Sequence, residues 1–194
     1  NHRELNPIQI IDELLGDKAL TLIKEFFIKN VNRVDRLDKY LEKYKKTGET
    51  LKNYFSSNSP SLSTKQLIHG DFNLSNLDIR DGKIMTIFDF DEMTIAPIAF
   101  EIGSSIVHLD EGFMFSDDLF ETYLRRYISS FQLTDEEIID TYMFMKYRCY
   151  YRISRYFTYY RFSSNKVEHF SKYQYKLDRY EEMDINKLIK DIRL

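Results

Sequence analysis

Between residues 7 and 30 the apolar positions Ile8, Ile11, Leu14, Leu15, Leu22, Ile23, Phe26 and Phe27 recur at helical spacing, with Gly16 as a break point. A second helical pattern, over about residues 33 to 46, sets Val34, Leu37, Leu41 and Tyr44 on one face. The run Ser56-Ser57-Asn58-Ser59-Pro60-Ser61 reads as a loop, because its side chains compete with regular structure for backbone hydrogen bonds. After it the period changes. Gln66-Leu67-Ile68 reads as a short strand, and Leu77-Asp78-Ile79 and the run from Ile84 to Phe88 bracket Arg80-Asp81-Gly82-Lys83. Asp-Gly between two strand-like runs predicts a type I′ hairpin in which Arg80 faces Lys83 and Asn76 lies opposite Ile87. Downstream of Pro97 the pattern predicts helices over about 98–109, 116–131, 135–162 and 167–190. Their separators are Asp110-Glu111-Gly112, Gln132-Leu133-Thr134 and Ser163-Ser164-Asn165, and Thr134 with Glu137 forms a capping box at the start of the long helix.

Composition narrows the class. Few helix breakers (6 Gly, 3 Pro) and many large side chains (15 Tyr, 15 Phe) favour a predominantly helical architecture. At 194 residues the chain can bury one substantial core, or form one lobe of something larger. A formal charge of −3 provides no basic field for nucleic acid. The single cysteine, Cys149, excludes an internal disulfide and any Cys-based zinc site, and its place in a helical pattern reads as a buried thiol. No apolar run approaches the roughly 20 residues that span a bilayer. The N-terminus lacks both the apolar core of a signal peptide and an initiator methionine, so the expectation is a chain trimmed from a longer, cytoplasmic parent without a membrane partner.

The chemistry concentrates in residues 66–92. His69-Gly70-Asp71 is followed by Asn76, five positions after the aspartate. Asp89, thirteen positions further on, ends the apolar run Ile84, Met85, Ile87, Phe88, which is expected to be a buried strand. The hairpin brings Asn76 and Asp89 to its open end, within reach of one cation. Protein kinases use the same kit, an aspartate with an asparagine five residues on for acceptor and metal, then a second aspartate for metal. Phosphoryl transfer needs an aligned acceptor oxygen and cations on the phosphates, and Mg²⁺ takes one or two carboxylates with water and phosphate completing its shell. Asn76 and Asp89 fit as those ligands, and Asp71 as the carboxylate that orients the acceptor hydroxyl and receives its proton. Each residue alone is ordinary: a turn, a turn former, a strand end. Their coincidence with the strand, the Asp-Gly turn and the second strand is the signal.

The segment from Ile68-His69-Gly70-Asp71-Phe72 through Asn76, followed by Ile87-Phe88-Asp89-Phe90-Asp91, resembles the aminoglycoside phosphotransferase / choline kinase family, whose members share the protein-kinase-like fold. The resemblance implies a catalytic Asp71, magnesium ligands Asn76 and Asp89 that also bind the nucleotide cosubstrate ATP, and a structural His69 in the catalytic loop. It implies a mainly α (α+β) fold: a protein-kinase-like C-terminal lobe, a helical bundle with a small β-hairpin carrying the catalytic and metal-binding loops, over residues 1–194. Two departures stand out. Where the family often places an Asp after the Pro, this chain has Glu101-Ile102-Gly103 after Pro97, and Glu101 has the reach to contact the catalytic loop. No Gly-rich phosphate loop or strand lysine precedes the signature, and roughly the first 65 residues are helical where an N-terminal lobe requires strands. The expectation is an N-terminal lobe upstream in the parent protein, with the fragment alone weakly active or inactive.

The function these residues imply is transfer of the γ-phosphoryl group of ATP, with Mg²⁺, to a hydroxyl of a small molecule: an amino alcohol, sugar, aminoglycoside or homoserine-like compound. The alternatives are a non-catalytic kinase-like module that binds nucleotide or a partner, and a metal-dependent phosphohydrolase. Several features admit two readings. Tyr147, Tyr150 and Tyr151, in a Tyr/Arg-rich stretch from 142 to 161, form either an acceptor wall or helix packing, the packing being the default. Arg148, Arg152 and Arg155 share a helical face as an anion site or, by default, a solvated or salt-bridged stripe. Asp110 and Glu111 are an amine site or a plain acidic loop; Asp91 and Glu92 touch a second metal or bond to the loop; His108, without a metal-spaced partner, reads as a packed histidine.

Overall fold

The computed structural model describes residues 4–30, 36–58, 65–109, 117–158 and 166–193. Asn6 caps the first helix by accepting from Gln9 N–H, with Pro7 at the first helical position. The described elements run α1 (Pro7–Leu15), α2 (Asp17–Asn30), α3 (Leu37–Asn58), β1 (Lys65–Ile68), β2 (Leu77–Arg80), β3 (Lys83–Ile87), β4 (Thr94–Pro97), α4 (Ile98–Leu109), α5 (Asp117–Phe131), α6 (Asp135–Thr158), α7 (Lys166–Glu182) and α8 (Ile185–Arg193). Short 3₁₀ turns at Leu74–Asn76 and Phe90–Glu92 complete the central segment. The architecture is mainly helical with two small antiparallel sheets, β1–β4 and β2–β3.

The chain divides into two compact units. One comprises residues 6–61 and 146–181, that is α1 to α3 with the later part of α6 and nearly all of α7. Its core is aromatic: the Phe26 ring meets Phe157 at 5.0 Å and Phe170 at 5.6 Å, and Tyr44 stacks on Tyr150 at 4.5 Å. α3 runs straight through Gly48, because that glycine is where another side chain would collide. A β-carbon there would lie 2.5 Å from the Tyr150 hydroxyl and 2.9 Å from Leu15. The helix therefore continues past residue 46 and includes Ser56, Ser57 and Asn58, which correct the expected loop; residues 59–61 of that run lie outside the described residues.

The other unit, residues 1–5, 62–145 and 182–194, carries both sheets. β1 pairs with β4 from Lys65↔Pro97 to Ile68↔Thr94, a strand that local pattern did not predict. Leu5 N–H donates to Ile95 at 3.2 Å, extending the edge of β4. The β2–β3 hairpin turns through Asp81 and Gly82, both at positive φ, 51° and 71°, as a type I′ turn requires. Arg80 faces Lys83 as predicted, but an irregularity between Asp78 and Ile79 shifts the register, so Leu77, not Asn76, pairs with Ile87. Asn76 instead accepts from Phe88 N–H at 2.9 Å, one residue nearer Asp89. β3 is also not buried: Ile84, Met85, Ile87 and Phe88 are all exposed, since a two-stranded ribbon covers neither of its faces.

α4 begins directly after β4 and packs on α6 at Gly103, where a β-carbon would meet Thr141 O at 2.7 Å. The capping box at α6 forms in both directions: Glu137 N–H donates to Thr134 Oγ1 at 3.2 Å and Thr134 N–H to Glu137 Oε2 at 2.8 Å. The last predicted helix divides in two at Met183 and Asp184, because Asp184 caps α8 by accepting from Asn186 N–H and Lys187 N–H. No helix among the described residues is long and apolar enough to cross a membrane. The predicted separators at 110–112 and 163–165 lie outside the described residues.

Candidate active site

β1 delivers the chain into a loop whose backbone is gripped by one carboxylate. Glu101, in the first turn of α4, accepts from His69 N–H at 3.1 Å with Oε1 and from Gly70 N–H at 3.0 Å with Oε2. All three residues are buried. Charge-assisted bonds of this kind are stronger than neutral ones, and buried N–H groups without them would be costly. Gly70 then turns with φ of 82°, in the left-handed region, and passes so close to the second 3₁₀ turn that a β-carbon would lie 2.1 Å from Glu92 O. The loop after β1 and the segment after β3 therefore touch backbone to backbone.

His69 secures that contact. Its Nε2–H donates to Phe88 O at 2.7 Å, which leaves Nδ1 as the acceptor for Asp71 N–H at 3.4 Å. The imidazole also lies 4.8 Å from the Phe90 ring. Phe88 is thus held at both ends, its N–H by Asn76 O and its carbonyl by His69. The next residue is Asp89, in a left-handed backbone conformation (φ 59°, ψ 65°) that aspartate tolerates better than most residues. Two links therefore tie Asp89 to the loop that carries Asp71 and Asn76.

The carboxylate of Asp71 is organised by two asparagines. Oδ2 accepts from Asn73 Nδ2 at 3.2 Å and Asn76 Nδ2 at 3.3 Å; the same amides donate to the Asp71 backbone oxygen at 3.0 and 2.8 Å. With the Asn76 amino group turned inward, its side-chain carbonyl is the atom available to a cation. Asn73 also accepts from Ser75 N–H, capping the first 3₁₀ turn. On the other side of the carboxylate, His108 Nε2 lies 3.8 Å from Asp71 Oδ1.

The Asn76 side chain meets Asp71 directly, and Asp89 is tied to the same loop through the backbone of Phe88. Asn73 and His108 were missed. The signal for Asn73 was an Asx-type turn two residues after the aspartate; for His108 it was a spacing of two helical turns from Glu101. Among the described residues no three His, Cys, Asp or Glu side chains cluster as a metal cage. Asp89 offers one carboxylate and Asn76 one amide carbonyl, oxygen donors of the kind magnesium takes when water and phosphate fill the rest of its shell. Asp91 and Glu92 lie exposed in the second 3₁₀ turn.

The other candidates take structural places. Tyr147 and Tyr150 are fully buried packing residues, and burial drives both hydroxyl pKa values upward. Arg148 is buried rather than solvated, Arg152 and Arg155 are half-buried, and the Arg155 guanidinium lies over the Tyr151 ring at 5.6 Å. Burial pushes the Cys149 thiol up to about 12. Asp110, Glu111 and residues 159–161 lie outside the described residues.

No curated protein shows significant similarity to the chain. The phosphotransferase enzyme family matches residues 20–138, more than half of its length and all of the segment just described. The chain belongs to the phosphotransferase enzyme family.

Proposed function

We propose that the chain is the catalytic, C-terminal lobe of a kinase that transfers the γ-phosphoryl group of ATP to a hydroxyl of a small molecule. The observation that carries this reading is the network Asn76–Asp71 and Asn76–Phe88–His69, which ties an acceptor-facing carboxylate to a cation-facing oxygen pair. Asp71 accepts the proton of the acceptor hydroxyl while Asn73 and Asn76 hold its carboxylate in place. Asn76 and Asp89 would hold Mg²⁺, which when bound would neutralise charge on the phosphates. The new bond joins the acceptor oxygen to the γ-phosphorus, the bond to the bridging β,γ-oxygen breaks, and ADP leaves. Little else is asked of the protein beyond alignment and electrostatics.

The exposed apolar residues Ile84, Met85, Phe88 and Phe90 around the metal segment support the same reading. They are the face that a planar base and a covering lobe would take out of water. Amino alcohols, sugars, aminoglycosides and homoserine-like compounds are the acceptor class, and the cytoplasm, where ATP is held, is the working compartment.

Full-length protein given Mg-ATP and a panel of such acceptors tests this. ADP release that depends on one acceptor, and is lost in Asp71→Ala and Asp89→Ala, is the expected result. Nucleotide binding with no turnover on any acceptor would replace the kinase by a binding module. Metal-dependent release of phosphate from simple esters without ATP would replace it by a phosphohydrolase.

A further inference from the structure

α4 presents two side chains to the catalytic loop from one face. Glu101 and His108 are seven residues apart, about 10 Å along the axis and nearly in line around it. The opposite face is fixed by Gly103 against α6. Glu101 grips the loop backbone at His69 and Gly70, and His108 faces the carboxylate one residue later. The asparagine amides both gather on Oδ2 of Asp71, while Oδ1 is the oxygen turned to His108. Between Glu101 and His108 on the helix, the Ser105 hydroxyl is buried with no hydrogen-bond partner, a group of the kind ordered water satisfies.

We propose that His108 is a positioning residue for Asp71, a role that rests on the kinase reading above. A separation of 3.8 Å exceeds a direct hydrogen bond, leaves no room for a water between the two atoms, and closes with a small movement of either side chain. With Asn73 and Asn76 on Oδ2 and His108 on Oδ1, the carboxylate is held against rotation from both sides, so its plane stays aligned with the incoming hydroxyl. The imidazole is 9% exposed and the carboxylate 21%, so the pair sits at the base of the site with only the aspartate reaching outward. His108 acts through Asp71.

Two substitutions of similar bulk separate positioning from packing. His108→Gln keeps an N–H donor near the place of Nε2, and His108→Phe fills the space without one. The expected result is a fall in kcat of about 10- to 100-fold for His108→Phe, with KM for ATP unchanged and most of the rate restored in His108→Gln. Equal rates in both variants and the parent would reduce His108 to packing and overturn the proposal. A stability cycle reads the contact without catalysis: the change in Tm caused by Asp71→Asn should differ between the parent and His108→Phe backgrounds. Additive changes would overturn the proposal as well. If the parent transfers no phosphoryl group to any acceptor while the cycle shows coupling, the kinase reading fails and the His108–Asp71 contact stands.

Discussion

The carbonyl oxygen of Glu92 occupies the space that a β-carbon at Gly70 would need, 2.1 Å away. The left-handed φ of 82° disfavours a side chain there a second time. Gly70→Ala should therefore destabilise the protein by about 2 kcal/mol or more and abolish transfer, because the catalytic and metal segments must separate to admit one methyl group. Denaturant unfolding and an activity assay on the same preparation check both parts. Wild-type stability with full turnover would refute the close approach.

Glu101 accepts two buried backbone N–H groups from adjacent residues, so shortening it and neutralising it are different experiments. Glu101→Ala leaves both donors without a partner and should cost about 3 kcal/mol. Glu101→Gln turns an amide N–H₂ toward one of those donors and should cost about 2 kcal/mol, whereas Glu101→Asp keeps the charge and loses only reach. The order of stability by chemical denaturation should be Glu, Asp, Gln, Ala.

Gly48 in α3 invites a wrong forecast. On helix propensity alone, Gly48→Ala would stabilise an interior helical position by about 1 kcal/mol. The added carbon would instead press on the Tyr150 hydroxyl and Leu15 within a close-packed core, so a net loss of about 1–3 kcal/mol is expected. A raised Tm would show that the core yields more readily than its packing indicates.

Cys149 provides a pH test. Its folded-state pKa is pushed up to about 12 by burial, from an ordinary value near 9. The folded protein then holds the proton more tightly than the unfolded chain, so this contribution is complete below about pH 9 and is lost progressively as the pH rises toward 12. Thiol reagents at pH 8 should label the native protein far more slowly than the unfolded protein. Comparable labelling rates would place the thiol outside the core.

Much of this was legible before any coordinates, for local reasons. The Asp81-Gly82 turn, the break at Gly16 and the Thr134–Glu137 box all act within four residues, and all three form. What escaped depends on distant chain. The pairing of Thr94–Pro97 with Lys65–Ile68 joins segments some thirty residues apart, and a strand of four residues carries too little periodicity to announce itself. The register shift at Asp78/Ile79 leaves no composition signal, yet it brings Asn76 to Phe88, one residue from Asp89. The reason for Gly48 is a tyrosine on another helix, which no local pattern shows. His108 is buried, as a packed histidine should be, and only folding shows that the face of α4 bearing Glu101 also reaches Asp71.

The proposed kinase chemistry requires that Asn76 and Asp89 share a cation beside Asp71. Diffraction at the manganese absorption edge, from crystals of the full-length protein with Mn²⁺ and a non-hydrolysable ATP analogue, tests it most directly. An anomalous peak is expected about 2 Å from both the Asn76 side-chain oxygen and the Asp89 carboxylate, with the terminal phosphate facing Asp71. A nucleotide-bound metal touching neither residue would contradict it.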